Sequence, residues 1–470
     1  MKLSAGAAIE FAGSAFRVPV PRFQGTGLIT QEHSRLIMLR PLVEWKYANA
    51  SGGNWCSVTG QQSHVHHYVS QWYQRRFLEP GKSTYWYLDL HPETVQSGPK
   101  TYQRHALLHW GPARCFCKND LYTIKLGNFT TDEIEKRFFG AADAKGKESV
   151  EFFASYNHDT DGASRHFQPL PTFMDAQRFR TPRGLEQLKR LTAAPNHNVT
   201  LLAMQRLFQL HTTMWVEGVW EIVRARQSPT KFIVSDEPVT FFNRHIFPSE
   251  CVYPGGIDLD KIGTRTLFPL GPDACLIISH VQFVRDPWIK PLTVRENARS
   301  YDGTVKHLTE IQTGREIEED EVLRINLILK ARATRYIAAS QEEWLYPERR
   351  VSTTDWSKLD DDWFLLPHLY KVSFVRETVV GFKNSPAWRQ DEYGRRPTHP
   401  KFKDERQRSR EWDRHVQAQQ EWAKKRVGKS TAHIHPSDRS DVVADQMMLK
   451  YLQREGFVAP SEGDSSSPAA

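Results

Sequence analysis

The sequence feature that most restricts the fold is a dense block of polar and aromatic residues, His66-His67-Tyr68-Val69-Ser70-Gln71-Trp72-Tyr73-Gln74-Arg75-Arg76-Phe77. Its rings are large enough to contribute to a core. Its polar groups require hydrogen-bond partners if they are buried. A second marked segment lies far downstream, Phe232-Ile233-Val234-Ser235-Asp236-Glu237-Pro238-Val239. The functional hypotheses below require that these two distant segments meet in the fold.

The composition divides the chain into four stretches. Residues 1–60 are predicted to be irregular because Gly, Ser and Pro recur, and residues 61–345 are predicted to form the globular core. Residues 346–383 carry a last aromatic patch, which we expect to dock on that core. Residues 384–470 form a polar, basic tail that we expect to be largely disordered, with one exposed or loosely docked helix near 402–427.

Four stretches of the core segment have the pattern of strands. Residues 83–90 are dense in aromatic side chains, and residues 231–234 form a short apolar run. Residues 266–270 and 274–278 flank the turn sequence Gly271-Pro272-Asp273, which predicts a hairpin. We expect these strands to form one small mixed sheet.

Other stretches have the spacing of helices. Residues 170–180 predict a short helix, and Thr181-Pro182 begins another, with Thr as the N-cap and Pro at the first helical position. Residues 199–226 and 317–340 each carry an apolar stripe of helical period. Together these elements predict a single α+β domain that is rich in helices.

Three histidines, His64, His66 and His67, crowd into four positions at the start of the block. On an extended segment His64 and His66 share a face, and His67 points to the other. Such a pair can chelate a metal ion if Asp236 or His245 supplies a further ligand. The sequence thus predicts a divalent metal ion at His64, His66 and Asp236. Alternatively, the histidines bond backbone carbonyl groups and order the block.

Arginines at two places are candidates for binding an anion. Arg178 and Arg180 lie on one predicted helix but point about 200° apart, so both cannot face one pocket. Arg180 is favoured because it adjoins a helix start, where unpaired N–H groups attract anions. Alternatively, Arg180 forms a salt bridge with Asp175 or Glu186. The predicted anion-binding residues are Arg76, Gln177 and Arg180.

The net charge of +8 is unevenly distributed. Residues 395–430 contain 12 Lys and Arg against 5 Asp and Glu, so the rest of the chain is nearly neutral. This segment is either a solvated face or a contact for nucleic acid or another anionic partner. No run is apolar and long enough for a transmembrane helix, so we expect no membrane contact. The 5 scattered cysteines favour a reducing, cytoplasmic location.

Several short motifs together resemble the domain-of-unknown-function 4238 family over residues 64–340. The chain differs from the common family pattern at Ser70, where Pro is frequent, and at Glu237, where Asn is frequent. Glu237 adds a negative charge beside Asp236, which argues against anion binding at that turn. The family has no settled biochemistry to transfer. The motifs, in family order, are His67-Tyr68-Val69, Asp120-Leu121-Tyr122-Thr123, Gln177-Arg178-x-Arg180-Thr181-Pro182, Ser235-Asp236-Glu237-Pro238, Phe268-Pro269-Leu270 and the helix at Ala333 to Ala338.

Two functional hypotheses follow. The first is a hydrolase acting on a phosphate-bearing substrate, in its sharpest form a metal-dependent, nuclease-like enzyme. Its predicted catalytic residues are His66 or His67 as base or metal ligand, Asp236 as ligand or orienting acid, and Arg180 as anion clamp. The second is a non-enzymatic binding module in which these residues form a structural network and the basic tail contacts the partner. The sequence lacks the motifs of P-loop NTPases, dinucleotide enzymes, α/β-hydrolases and zincins.

Overall fold

The structure, a computed structural model, describes residues 63–127, 129–157, 159–208, 211–295, 311–361, 378–380, 388–391 and 395–427. The predicted irregular segment, residues 1–60, lies outside these ranges, and so does the end of the predicted tail, residues 428–470.

Strands and helices alternate irregularly along the chain, and a π-helix, Ile134–Phe139, precedes the second α-helix. The strands are β1 (Val65–His67), β2 (Tyr85–Asp89), β3 (Thr94–Ser97), β4 (Lys100–Gln103), β5 (Leu107–Trp110), β6 (Cys117–Asn119), β7 (Ile124–Leu126), β8 (Phe129–Thr131), β9 (Val219–Arg224), β10 (Val234–Ser235), β11 (Thr240–Phe242), β12 (Arg265–Gly271), β13 (Ala274–Ser279), β14 (Gln312–Glu316), β15 (Tyr336–Ala339), β16 (Thr378–Val380) and β17 (Trp388–Gln390). The helices are α1 (Gln71–Arg75), α2 (Gly140–Ala154), α3 (Thr160–His166), α4 (Pro169–Arg180), α5 (Pro182–Thr192), α6 (His197–Leu207), α7 (Thr212–Val216), α8 (Val281–Arg285), α9 (Glu319–Arg332) and α10 (Glu405–Val427).

Two sheets form the centre of the described structure. One has the order β10-β15-β2-β5 and is antiparallel throughout. The other has the order β11-β12-β13-β9-β14 and is mixed, because β14 runs parallel to β9. The predicted α+β class is confirmed, but the predicted strands do not share one sheet. The hairpin β12–β13 pairs with β9 and β11, away from β2 and β10.

Two long helices predicted from apolar stripes are shorter in the structure. The stretch 199–226 contains the end of α6, then α7, and then β9, which pairs with β13 from Val219 to Arg224. Strand pairing thus overrides a helical pattern there, as tertiary context often does. Helix α9 ends at Arg332, and the chain continues into β15 instead of reaching Ser340.

The aromatic block packs on β12 and α4. The Tyr73 ring stacks on Phe268, with 5.5 Å between the ring centroids, and the Tyr73 hydroxyl donates to the Pro269 carbonyl. The Trp72 ring lies 5.1 Å from the ring of Phe173 on α4. The block therefore anchors the core, because such ring pairs add to the free energy gained by burying the rings.

The predicted helix in the basic segment is present as α10, and polar side chains dock it on α8. The buried His415 ring bonds the Val284 carbonyl at 2.8 Å, and Arg414 pairs with Asp286 at 3.0 Å. In the described part of the chain, no helix is both long and apolar enough to cross a membrane.

Candidate functional site

Arg180, the predicted anion clamp, already binds an anion of the chain itself. Its guanidinium donates to Oγ of Ser70 at 2.6 Å and to both carboxylate oxygens of Asp143, one of them at 3.1 Å. It also donates to Oε1 of Gln177 at 3.1 Å, and Gln177 donates to the Tyr68 carbonyl at 2.6 Å. Ser70, Asp143, Gln177 and Arg180 form the Arg180 network. Because Arg180 is 1% exposed, this network is an internal connection between α4, α2 and the block.

The three histidines of the block bond to neighbouring groups. The Tyr122 N–H donates to Nδ1 of His66 at 2.9 Å, so Nε2 carries the proton and donates to the Ser63 carbonyl at 3.0 Å. The His67 ring bonds the Ala113 carbonyl at 3.2 Å, and the His64 ring bonds Asp120 at 2.9 Å. Burial lowers the pKa of both His66 and His67.

Asp236 holds a turn together. Its carboxylate accepts the backbone N–H groups of Thr334 at 2.8 Å, Arg335 at 2.7 Å and Tyr336 at 3.0 Å. Burial and the neighbouring Glu237 raise the pKa of Asp236 to about 7, against the effect of the three N–H groups. These bonds fix the end of β10 to the segment between α9 and β15.

The predicted metal ligands do not assemble. His64 pairs with Asp120, both ring nitrogens of His66 have backbone partners, and Asp236 accepts backbone N–H groups. Among the residues that the structure describes, no group of three or more His, Cys, Asp or Glu side chains is placed to hold a metal ion. The set His64, His66 and Asp236 therefore stays a prediction, and in the structure each of its members bonds to a neighbouring group.

Arg76, the other predicted anion clamp, connects two elements of the core. Its Nε donates to the Leu270 carbonyl on β12 at 2.7 Å. Burial lowers the pKa of Arg76. Arg76 therefore connects the end of α1 to the sheet that contains β12.

A different group of arginines surrounds Glu237, the residue after Asp236. Arg178 approaches its carboxylate at 3.7 Å, and Arg183 and Thr181 at the start of α5 act on the same carboxylate. Burial raises the pKa of Glu237, while Arg178, Arg183 and Arg332 act in the opposite direction. Arg178, Arg183 and Arg332 are named the arginine cluster. A carboxylate of the chain itself thus lies at the start of α5, where the sequence predicted an anion.

The arginine cluster is held in place by backbone and side-chain contacts. Arg183 donates to the carbonyls of Pro254 at 3.2 Å, Arg332 at 3.3 Å and Gly255. The Cys251 side chain acts electrostatically on the Arg332 guanidinium. Three helix ends therefore meet here: the last turn of α4, the first turn of α5 and the last residue of α9.

The junction of α4 and α5 depends on Gly184. Thr181 caps α5 by accepting the Gly184 N–H at 3.0 Å, as the sequence predicted. A Cβ atom at Gly184 would overlap the Arg178 carbonyl oxygen. The absence of a side chain therefore lets α5 begin directly against the last turn of α4, which brings Arg178 and Arg183 together.

The arginine cluster brings three guanidinium groups together with three carboxyl groups. The three guanidinium groups act on Glu237, Asp175 also acts on Arg178, and burial raises the pKa of Asp236, beside Glu237, to about 7. Burial lowers the pKa of Arg178 to about 10, with Glu237 opposing this shift. Because Asp236 is only partly ionised near pH 7, the positive charges of the cluster outnumber the ionised carboxylates.

An imidazole–carboxylate pair lies beside the arginine cluster. Asp175 is fully buried on α4, and its Oδ1 lies 2.7 Å from Nδ1 of His211. The His211 side chain is 20% exposed. A carboxylate partner at Nδ1 places the proton there and leaves Nε2 as the basic nitrogen.

Phe241 joins this pair to the arginine cluster. Its ring lies 4.3 Å from Cζ of Arg178 and 6.0 Å from the centroid of the His211 ring. Asp175 and Arg178 are three residues apart on α4 and so share a face. A base and a guanidinium therefore lie against the same aromatic ring.

A sequence model of one family matches residues 65–343, more than half of the chain. That family is described as a protein of unknown function, DUF4238. The chain belongs to the DUF4238 family. No curated protein matches the chain, and no solved structure matches it.

The DUF4238 match contains the Arg180 network, the arginine cluster and the pair of His211 and Asp175, whereas α10 lies beyond it. Helical spacing in the motif that carries Arg178 and Arg180 predicts that the two side chains point apart, which the structure shows. No motif of the sequence marks Arg183, Arg332 or His211. His211 lies in the stretch 199–226, for which one long helix is predicted, and no local pattern links it to Asp175.

Proposed function

We propose that this protein is a hydrolase acting on a phosphate-bearing substrate. The arginine cluster binds the phosphate, and His211, oriented by Asp175, is the general base. The observation that carries the proposal is the contact of both Arg178 and His211 with the Phe241 ring, at 4.3 and 6.0 Å. Guanidinium groups suit this task because their planar N–H donors match the oxygens of a phosphate.

In the proposed reaction, Nε2 of His211 removes a proton from a water molecule as the water oxygen bonds to phosphorus. The P–O bond to the leaving group breaks, and its electron pair moves to the leaving oxygen. That oxygen then takes the proton from His211. The arginine cluster stabilises the charge that develops on the phosphate oxygens, which is commonly the largest contribution in such reactions.

The test is turnover of p-nitrophenyl phosphate and bis-p-nitrophenyl phosphate by the full chain. His211→Asn keeps a side-chain N–H that can donate to Asp175 but removes the base, so we expect a loss of about 10²–10⁴-fold in kcat with an unchanged Tm. His105→Asn is the matched control, because His105 is exposed and belongs to neither the arginine cluster nor the pair. Its turnover should equal that of the wild type.

Two results would contradict the proposal: no turnover by the wild-type chain with either substrate, or full turnover by His211→Asn. Each assay is run with Mg²⁺, with Mn²⁺ and with EDTA, which also measures the predicted need for a divalent ion. Anion binding without turnover would favour the binding module instead.

Two narrower predictions belong to this proposal. The 4 free cysteines among the described residues suit a reducing, cytoplasmic location. Nucleic-acid contact through residues 395–430 also stays a prediction, although several of its basic groups have internal partners. Arg395 is buried and donates to the Lys401 carbonyl at 2.9 Å, and Arg414 pairs with Asp286. Deleting residues 428–470 tests only the part beyond α10.

A further inference from the structure

Resting on the proposed function, we infer that the phosphate-bearing substrate is a nucleotide whose base stacks on Tyr253, at the edge of the arginine cluster.

The loop between β11 and β12 presents apolar side chains to solvent. Tyr253 is 47% exposed, Val252 is 76% exposed, and Phe247 is also exposed. No contact with another aromatic ring involves Tyr253 within the described ranges, although rings elsewhere in the core pack in pairs. An exposed ring on a folded loop offers a π-face to a ligand.

The loop is anchored directly on the arginine cluster. Arg183 donates to the carbonyls of Pro254 and Gly255, the two residues that follow Tyr253. The Gly255 N–H donates to the Val252 carbonyl at 2.8 Å, which closes a turn around Tyr253. These bonds hold the ring at a fixed place relative to the guanidinium groups.

Charged groups of α5 lie near the Tyr253 ring. Arg183, Glu186 and Arg190 are spaced at i, i+3 and i+7, so they share one face of α5. All three act electrostatically on the Tyr253 hydroxyl, as does Glu237. The Tyr253 ring thus lies next to a row of basic side chains. This row runs from the exposed Arg190 through Arg183 to the buried Arg332.

A flat π-face beside an excess of positive charge selects a ligand that joins an aromatic ring to a phosphate. Nucleotides have this chemistry, and stacking tolerates every base because each has a π-face. A simple sugar phosphate satisfies the arginine cluster but leaves the Tyr253 ring exposed. The nucleobase is therefore the part of the ligand that distinguishes this proposal from general phosphate binding.

The experiment is calorimetric titration of the His211→Asn chain, which binds without turnover, with AMP, CMP and ribose 5-phosphate. Stacking predicts that AMP and CMP bind about tenfold more tightly than ribose 5-phosphate. Tyr253→Leu should remove this difference without changing the Kd of ribose 5-phosphate, and Tyr253→Phe should retain it. Tyr102→Leu is the matched control, since Tyr102 is similarly exposed at a distant hairpin.

Equal Kd values for AMP and ribose 5-phosphate would overturn the inference, as would a preference that survives in Tyr253→Leu or the absence of binding by all three ligands. Turnover by the wild-type chain is measured separately. If the nucleotides bind through Tyr253 but no substrate is hydrolysed, the proposed hydrolase fails while the nucleotide site stands. If simple phosphate esters are hydrolysed without a preference for nucleotides, only the inference of this section fails.

Discussion

Arg178 and Arg180 lie two positions apart on α4, and the charges around their guanidinium groups differ. Arg180 donates to Ser70, Asp143 and Gln177, so its charge is met within the protein. Arg178 stands with Arg183 and Arg332 around Glu237, where positive charge is in excess. The comparison teaches that a buried arginine in a marked motif can be structural, while its neighbour on the opposite helix face carries the charge that the proposed function assigns to the substrate phosphate.

The largest expected effect is a loss of stability, which should be greater when Arg180 is replaced than when Arg178 is replaced. Arg180→Ala removes the guanidinium that neutralises Asp143 and leaves that carboxylate only the Ser70 hydroxyl, so we expect the free energy of unfolding to fall by about 3–5 kcal/mol. Arg178→Ala should cost less than half of that, because Arg183 and Arg332 remain beside Glu237. Urea denaturation measures both. Arg180→Lys, which keeps the charge, provides a folded variant of intermediate stability if Arg180→Ala does not fold.

Equal losses in the free energy of unfolding for Arg178→Ala and Arg180→Ala would contradict the distinction between the Arg180 network and the arginine cluster. So would an Arg180→Lys variant with wild-type stability, since one ammonium group cannot reproduce the bonds of the guanidinium.

Asp236→Ala should have the next largest effect. Removing its carboxylate leaves the N–H groups of Thr334, Arg335 and Tyr336 without acceptors, so we expect a loss of about 2–3 kcal/mol. Asp413→Ala, at an exposed position of α10, is the control and should change stability little. If Asp236→Ala instead keeps the wild-type Tm and loses turnover, Asp236 is a catalytic group and not a structural one.

The last expected effect depends on pH and concerns Glu135, which lies near the Arg180 network. Burial raises the pKa of Glu135 to about 7, and its Oε2 is buried without a hydrogen-bond partner. The unfolded chain ionises this group near pH 4.3, so the fold loses stability as the pH rises from about 4.3 to 7. Glu135→Gln removes this loss.

The variant Glu135→Gln should therefore be more stable than the wild type at pH 8, by up to about 3 kcal/mol, and similar to it at pH 4. Denaturation at both pH values measures this. The control is Glu133→Gln, whose carboxylate pairs with Arg137 at the surface and which should change stability little at either pH. An identical pH dependence in Glu135→Gln and the wild type would show that Glu135 titrates normally.

Features set by local chemistry could be predicted from the sequence. The hairpin β12–β13 follows from its Gly-Pro-Asp turn, and the start of α5 follows from Thr181 as N-cap and Pro182 at the first position. Where a predicted element was wrong, a contact with a segment that is distant in the sequence determined the structure. The N–H groups that a longer α9 would use are bound by Asp236, so the helix stops at Arg332.

The candidate site was harder to predict for the same reason. His211 and Asp175 are 36 residues apart in the sequence, and Arg332 is far from Arg178 and Arg183. Only the packing of α4, α5 and α9 brings these groups together. The motif that contains Arg178 and Arg180 was visible in the sequence, but which of the two faces an anion depends on where Asp143 lies.

The most direct measurement is a crystal of the full chain soaked in tungstate, a heavy analogue of phosphate. We predict anomalous difference density at about 3 Å from guanidinium N–H donors of Arg178, Arg183 or Arg332. Density at Arg180 in place of Asp143, or none at the arginine cluster, would contradict the account.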